Sequence, residues 1–207
     1  MLIILTSTNV FAKGGSTVGD GGEAVVCTSG EFKTARLFDI YEAQFLYPRH
    51  VWSDSYLLST NEELSVLAEV TRNAISSNAL DEVFRIAQTA LTNFKMASLP
   101  QVTDSGSVGV PLQDGCSVKT LALSGVWGHS LAVTVEQNLW HLMSPRDQAL
   151  LMIHEALHSY FPTEPNTIAV RQVVQYIAAS PIFQIDNVSV IKTVLRTRTA
   201  APVPAFK

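Results

Sequence analysis

The sequence predicts an α+β fold, a helix-rich single domain with a small β-sheet next to one strongly apolar helix near residue 150. Three observations lead there. Apolar residues recur at helical spacing in several segments, for example Leu80, Val83, Phe84, Ala87, Leu91 and Phe94. A shorter stretch alternates instead, with Leu131, Val133 and Val135 on one face and Ala132, Thr134 and Glu136 on the other, as a half-buried strand does. The chain has 207 residues, 47% of them apolar, and a mean hydropathy of +0.21, enough for a good core but better suited to one domain than two.

The elements follow in chain order. Leu2 to Leu5 is apolar and Val10-Phe11-Ala12 has the small-residue pattern of a signal-peptidase site, so residues 1–12 read as a signal peptide or its remnant, though without a positive n-region. Residues 13–23, rich in glycine, are expected to be flexible, the domain to occupy 24–198, and the Pro/Ala-rich tail 199–207 to be disordered. Ala24 to Cys27 is a short strand candidate, and Leu37, Phe38, Tyr41 and Phe45 mark a helix that Pro48 ends. A second helix is expected over Asn61–Ile75, with Leu64, Leu67 and Ala74 inward, and a third over Leu80–Phe94. Ser98 to Gly115 carries Gly, Pro, Ser and Asp and reads as a long exposed loop, either a flap beside a substrate or a connection between halves. Two strands, Val118–Leu123 and Leu131–Val135, are then separated by Gly125 and Gly128. Helices over Asn166–Ala179, with Val170, Val173, Val174 and Ile177 at helical spacing, and over Val188–Arg196 complete the pattern.

The chemistry lies in the segment LLMIHEALHSY, residues 150–160, which contains His154, Glu155 and His158 in the order HExxH. Two histidines four positions apart stand one turn from each other on one helix face, so both imidazoles can grip one ion. Zinc takes nitrogen, sulfur or oxygen ligands in a tetrahedron and, at catalytic sites, leaves one of the four places to water. Glu155 leaves the same part of the helix and can reach that water as a general base without ligating the metal. With five histidines in the chain, HExxH arises by chance in roughly half a percent of random arrangements. The flanks, Leu150 to Ile153 and Ala156-Leu157, are apolar, as in a helix buried beneath a cleft rather than a solvated one. Ser144, Pro145 and Asp147 have the form of an N-cap, a first-turn proline and a capping acid, and Pro162 stops the helix.

This segment resembles the active-site helix of the zincin metallopeptidases. The likeness covers about ten residues, and it implies a zinc peptidase in which His154 and His158 ligate the metal and Glu155 activates water. In the metzincin branch the motif runs on as HExxHxxGxxH or with Asp last. Counted along this chain, Phe161 stands where that Gly falls and Glu164 where the third ligand falls. Glu164 is the first choice for the third ligand, ahead of Asp186, His129 and His141; the other large branch draws a Glu from a later helix, and Asn166–Ala179 contains none. By analogy with zincins, the strand Leu131–Val135 is expected to edge the cleft and pair with extended substrate. Tyr160, Arg171, Tyr176 and His129 are of the right type to donate to an oxyanion, and Asp147, two turns before His154, could orient a ligand. In layout the chain also resembles small exported bacterial proteins with a Gly-rich start and a Val-Val-Cys strand, a likeness that implies bacterial export and no activity.

Several classes are disfavoured. No apolar run approaches the eighteen residues needed to span a bilayer. A net charge of −4 without a Lys/Arg cluster gives no footing for nucleic acid. Cys27 and Cys116 belong to no CxxC pair and are expected to bridge if the chain is exported. The expectation is thus an exported bacterial zinc hydrolase, foremost a metallopeptidase acting on a peptide or protein, of open oligomeric state. The alternatives are a non-catalytic exported binding protein with a structural metal or none, and a metal-dependent hydrolase of a cell-wall component.

Overall fold

The computed structural model describes residues 22–47, 57–101, 110–127, 130–160 and 168–179. Among the described residues, two small three-stranded sheets and five helices are arranged about a sixth, central helix. The fold is α+β as expected, with two sheets in place of one.

The first sheet has the order β2-β1-β4 and is antiparallel throughout, from β1 (Glu23–Ser29), β2 (Phe32–Leu37) and β4 (Cys116–Thr120). The β1–β2 hairpin closes through Gly30 and Glu31, and Gly30 has φ +61°, a value glycine adopts without a Cβ penalty. Cys27 and Cys116 lie directly opposite each other and are joined by a disulfide. The second sheet has the order β3-β6-β5, from β3 (Lys95–Ala97), parallel to β6 (Ser130–Glu136), and β5 (Ala122–Trp127), antiparallel to it.

Two strand expectations change here. The run 118–123 is broken at Leu121, so that its halves enter different sheets, and Gly125 lies inside β5 rather than between strands. The break is held by hydrogen bonds: Leu121 N and Ala122 N both donate to Gly22 O, at 2.8 and 3.0 Å, and Leu121 O accepts from Glu136 N at 2.7 Å. β6, expected as the cleft edge, is the middle strand of its sheet, paired with β5 over Ser130–Val135 and with β3 over Thr134–Glu136 alone. Its alternation holds, with Val133 and Val135 buried.

α1 (Phe38–Leu46) follows β2 without a break, so Leu37 ends a strand rather than starting the helix. α2 (Thr60–Ala74) opens with a Ser59–Glu62 capping box and α3 (Asn78–Asn93) with Ser77 as N-cap. On α2 the buried stripe is Leu64, Leu67, Ala68 and Thr71, continuing to Ile75 just past its end; Ala74, the last residue of the helix, is exposed although it falls on the Leu67 edge of that face. The short α4 (Gln137–Trp140) leads to α5 (Pro145–Tyr160), and α6 (Ile168–Ala179) closes the described chain. Every residue from Ala149 to Leu157 is buried, because α5 is wrapped by α2, α3, α6 and strands of both sheets. No helix among the described residues is long and apolar enough to cross a membrane.

Between β3 and β4, residues 98–101 and 110–115 carry no regular structure, and the latter end is pinned: Tyr41 Oη donates to Pro111 O and accepts from Gln113 N, both at 3.1 Å. The expected leader 1–12, residues 13–21 of the glycine-rich stretch, the helix 188–196 and the tail lie outside the described residues. Gly22 and Glu23, by contrast, are ordered: Gly22 is buried and Glu23 begins β1.

Candidate metal centre

Helix α5 begins as its sequence requires. The Ser144 hydroxyl accepts from Asp147 N at 3.1 Å, and Gln148 N donates to Ser144 O at 3.0 Å. The Asp147 carboxylate accepts from Leu37 N at 3.1 Å and lies 3.9 Å from Arg36 Nε, so it ties the start of α5 to β2.

Two turns on, His154 is 2% exposed and its Nδ1 lies 2.8 Å from Asp39 Oδ2. A carboxylate accepts, so Nδ1 carries the proton and Nε2 presents a lone pair. That Nε2 is buried and has no hydrogen-bond partner among the described residues. Metal-binding histidines are held in just this way by an outer carboxylate that fixes ring and tautomer. The ring of His158 is 4.8 Å from that of His154, centroid to centroid, close enough for both to converge on one ion. Burial pulls the His154 imidazole down, and the charge and hydrogen bond of Asp39 more than offset this, leaving it above its ordinary 6.5.

Asp39 is itself fixed from behind by α6. Gln175 Nε2 donates to Asp39 O at 3.2 Å and to Glu42 Oε2 at 2.8 Å, while Arg171 Nη1 stands 3.5 Å from Glu42 Oε1 and its guanidinium lies 4.9 Å from the centre of the Phe38 ring. Arg171, Glu42 and Gln175 are all at least 97% buried. Burial raises the Glu42 carboxyl above its usual value, with the Arg171 charge opposing. α1 is therefore locked in rotation, and Asp39 with it.

Glu155 is completely buried. Its Oε1 accepts from Gly22 N at 2.9 Å, the Ser124 hydroxyl of β5 hydrogen-bonds the carboxyl, and Oε2 has no partner among the described residues. Burial raises its carboxyl above the ordinary value, with His154, Ser124 and the Gly22 amide pulling the other way. Its charge is felt at His154, so Glu155 and His154 share one buried pocket of charge.

Of the expected site residues, His154, Glu155 and His158 stand together, and Glu164 lies outside the described residues, as do His129 and Asp186. His141 follows α4 and is exposed. No group of three His, Cys, Asp or Glu side chains gathered to hold a metal exists among the described residues. Arg171, one of the expected oxyanion donors, is engaged with Glu42; Tyr176 is 6% exposed and its hydroxyl is raised by burial; Tyr160 is half-buried at the end of α5. Sequence reasoning missed Asp39, Glu42, Gln175, Gly22 and Ser124. The signal for the first two was present: Asp39 and Glu42 are the acids of the otherwise apolar helix FDIYEAQFL, and a carboxylate is fully buried only when paired. The orphaned His154 Nε2, opposite a carboxylate-held Nδ1 and beside a second imidazole, fits a divalent zinc-type ion. Searched against protein-family models, curated proteins and solved structures, the chain matches none of them.

Proposed function

We propose that this chain is a zinc-dependent hydrolase, in its best-supported form a metallopeptidase, with His154 and His158 as ligands and Glu155 as general base. The single observation that carries the reading is the buried Nε2 of His154, without a partner among the described residues, whose other nitrogen is held 2.8 Å from Asp39. A structural histidine in a dry core satisfies both nitrogens or leaves the core, since an unpaired buried acceptor costs about 1–3 kcal/mol. A ligand histidine keeps one nitrogen for the metal. Glu164, by its register, is the proposed third ligand.

Zinc at this position would supply a Lewis acid that polarises a carbonyl and acidifies water. The chain's own residues would do the rest. Asp39 holds the His154 proton on Nδ1 throughout. Glu155 takes a proton from water as the water oxygen attacks the amide carbon, then returns it to the departing nitrogen. Low exposure keeps bulk water from competing. The Cys27–Cys116 bridge supports export to an oxidising compartment.

Glu155→Gln tests the mechanism. The variant is expected to retain zinc while cleavage of a quenched-fluorescent peptide library falls to background; full cleavage by it rules the assignment out. One observation favours a second reading, a non-catalytic exported binding protein: Glu155 is fully buried and held by Gly22 and Ser124, as a purely structural carboxylate would be. Cobalt substitution separates the two, since a closed four-ligand site leaves its visible spectrum unmoved by added azide, whereas a site with an open position responds. Release of dye from labelled peptidoglycan would direct the hydrolase reading to the cell wall instead of to protein.

A further inference from the structure

Resting on the hydrolase reading, we infer that Gly22 and Ser124 are positioning residues that clamp one oxygen face of Glu155 and leave Oε2 as the working base. Gly22 closes the gap between the start of β1 and α5. Its amide is 2.9 Å from Glu155 Oε1, and its carbonyl takes the two amides at the β4–β5 break, Leu121 N and Ala122 N. The residue is thus held from both sides by the junction of the two sheets. A Cβ there would lie 2.8 Å from Glu155 Oε1 and 2.5 Å from Leu151 Cδ1, closer than such atoms come. Only glycine brings the backbone this near to the carboxylate. Ser124 sits two residues beyond Ala122 on β5 and adds its hydroxyl to the same carboxyl.

A general base works through one oxygen at a time and loses rate when that oxygen wanders. Two fixed donors remove the rotation of the carboxylate about its own axis, and Oε2, buried and without a partner among the described residues, is the atom left to meet water. Both bonds fall on Glu155, so the clamp acts on the base. Its disposition explains why the last glycine of the segment GDGG is ordered when its composition reads as flexible.

The test uses the full chain, loaded with zinc, and a quenched-fluorescent peptide library followed by steady-state kinetics on the best-cleaved peptide. Ser124→Ala and Gly22→Ala are expected to lower kcat about 10- to 100-fold, with KM and zinc content unchanged. Ser124→Thr, which keeps the hydroxyl and suits a strand, is expected to restore most of kcat. Circular dichroism checks folding, and if Gly22→Ala does not fold the Ser124 pair decides. Full kcat in Ser124→Ala overturns the clamp and leaves the hydrolase reading standing. Loss of zinc along with rate, or no rescue by Ser124→Thr, overturns it in favour of a structural role. No cleavage by the zinc-loaded wild type overturns the clamp and the hydrolase reading together.

Discussion

Replacing Asp39 by alanine probes the proposed metal grip without touching a proposed ligand. Asp39 and His154 are each 2% exposed, and their hydrogen bond of 2.8 Å is sealed from water. Removing the carboxylate leaves the Nδ1–H group buried with no acceptor, at a cost of about 1–3 kcal/mol, and frees the ring to turn or to change tautomer. Loss of such an outer carboxylate lowers metal affinity about 10- to 100-fold, or about 1.4 to 2.8 kcal/mol. Asp39→Asn keeps an acceptor oxygen but loses the charge, so its loss should sit near the lower end. The perturbation is confined, because Gln175 bonds the Asp39 backbone carbonyl and Glu42, and both bonds survive the substitution. Zinc affinity is measured by competition with a chromophoric chelator, beside circular dichroism to confirm the fold. Wild-type zinc affinity in a folded Asp39→Ala chain would refute the role given to this pair.

The bridge and the buried charges make further predictions. Cys27→Ser with Cys116→Ser opens a crosslink spanning 89 residues, which the chain-entropy relation values at about 4–5 kcal/mol, so the melting temperature should drop by about 10 °C or more; an unchanged melt would show that the bridge adds no stability. In the metal-free chain, burial raises the Glu155 and Glu42 carboxyls above 4.5, and Asp39, outweighing burial, raises His154 above 6.5. A raised folded-state value means stability that is complete below the unfolded value and lost as pH rises through the folded one. Melting temperature in chelator should therefore fall as pH rises from about 4.5 past 6.5, the lowered Glu62, exposed, and Glu82, half-buried, opposing only weakly. With zinc the trend should reverse, because ligation competes with protons at histidine. A melting temperature that climbs with pH in chelator would contradict the sign.

What could be read in the sequence follows from how local each signal is. The helices α2, α3, α5 and α6 declare themselves through apolar periodicity and through caps at Ser59, Ser77 and Ser144, all of which depend on neighbours within a few residues. β2, with the sequence FKTARL, has only a weak apolar pattern; it is a strand because β1 pairs with it. The three-residue β3 exists for the same reason, beside β6. The strand candidate 118–123 hides a change of sheet at Leu121, set by hydrogen bonds to Gly22 almost a hundred residues earlier. The site divides along the same line. His154, Glu155 and His158 share one helix and announce one another, whereas Asp39 meets His154 across 115 residues and Gly22 meets Glu155 across 133. No spacing rule connects such pairs; only the packing of α1 and β1 against α5 does.

Elemental analysis by mass spectrometry of the purified chain, beside its His158→Ala variant, bears most directly on whether the HExxH helix holds a metal. About one zinc per wild-type chain, absent from the variant, is the predicted result. No stoichiometric metal in the wild type, even after zinc is supplied and the excess removed, would contradict it and reduce His154, Glu155 and His158 to members of a buried polar network.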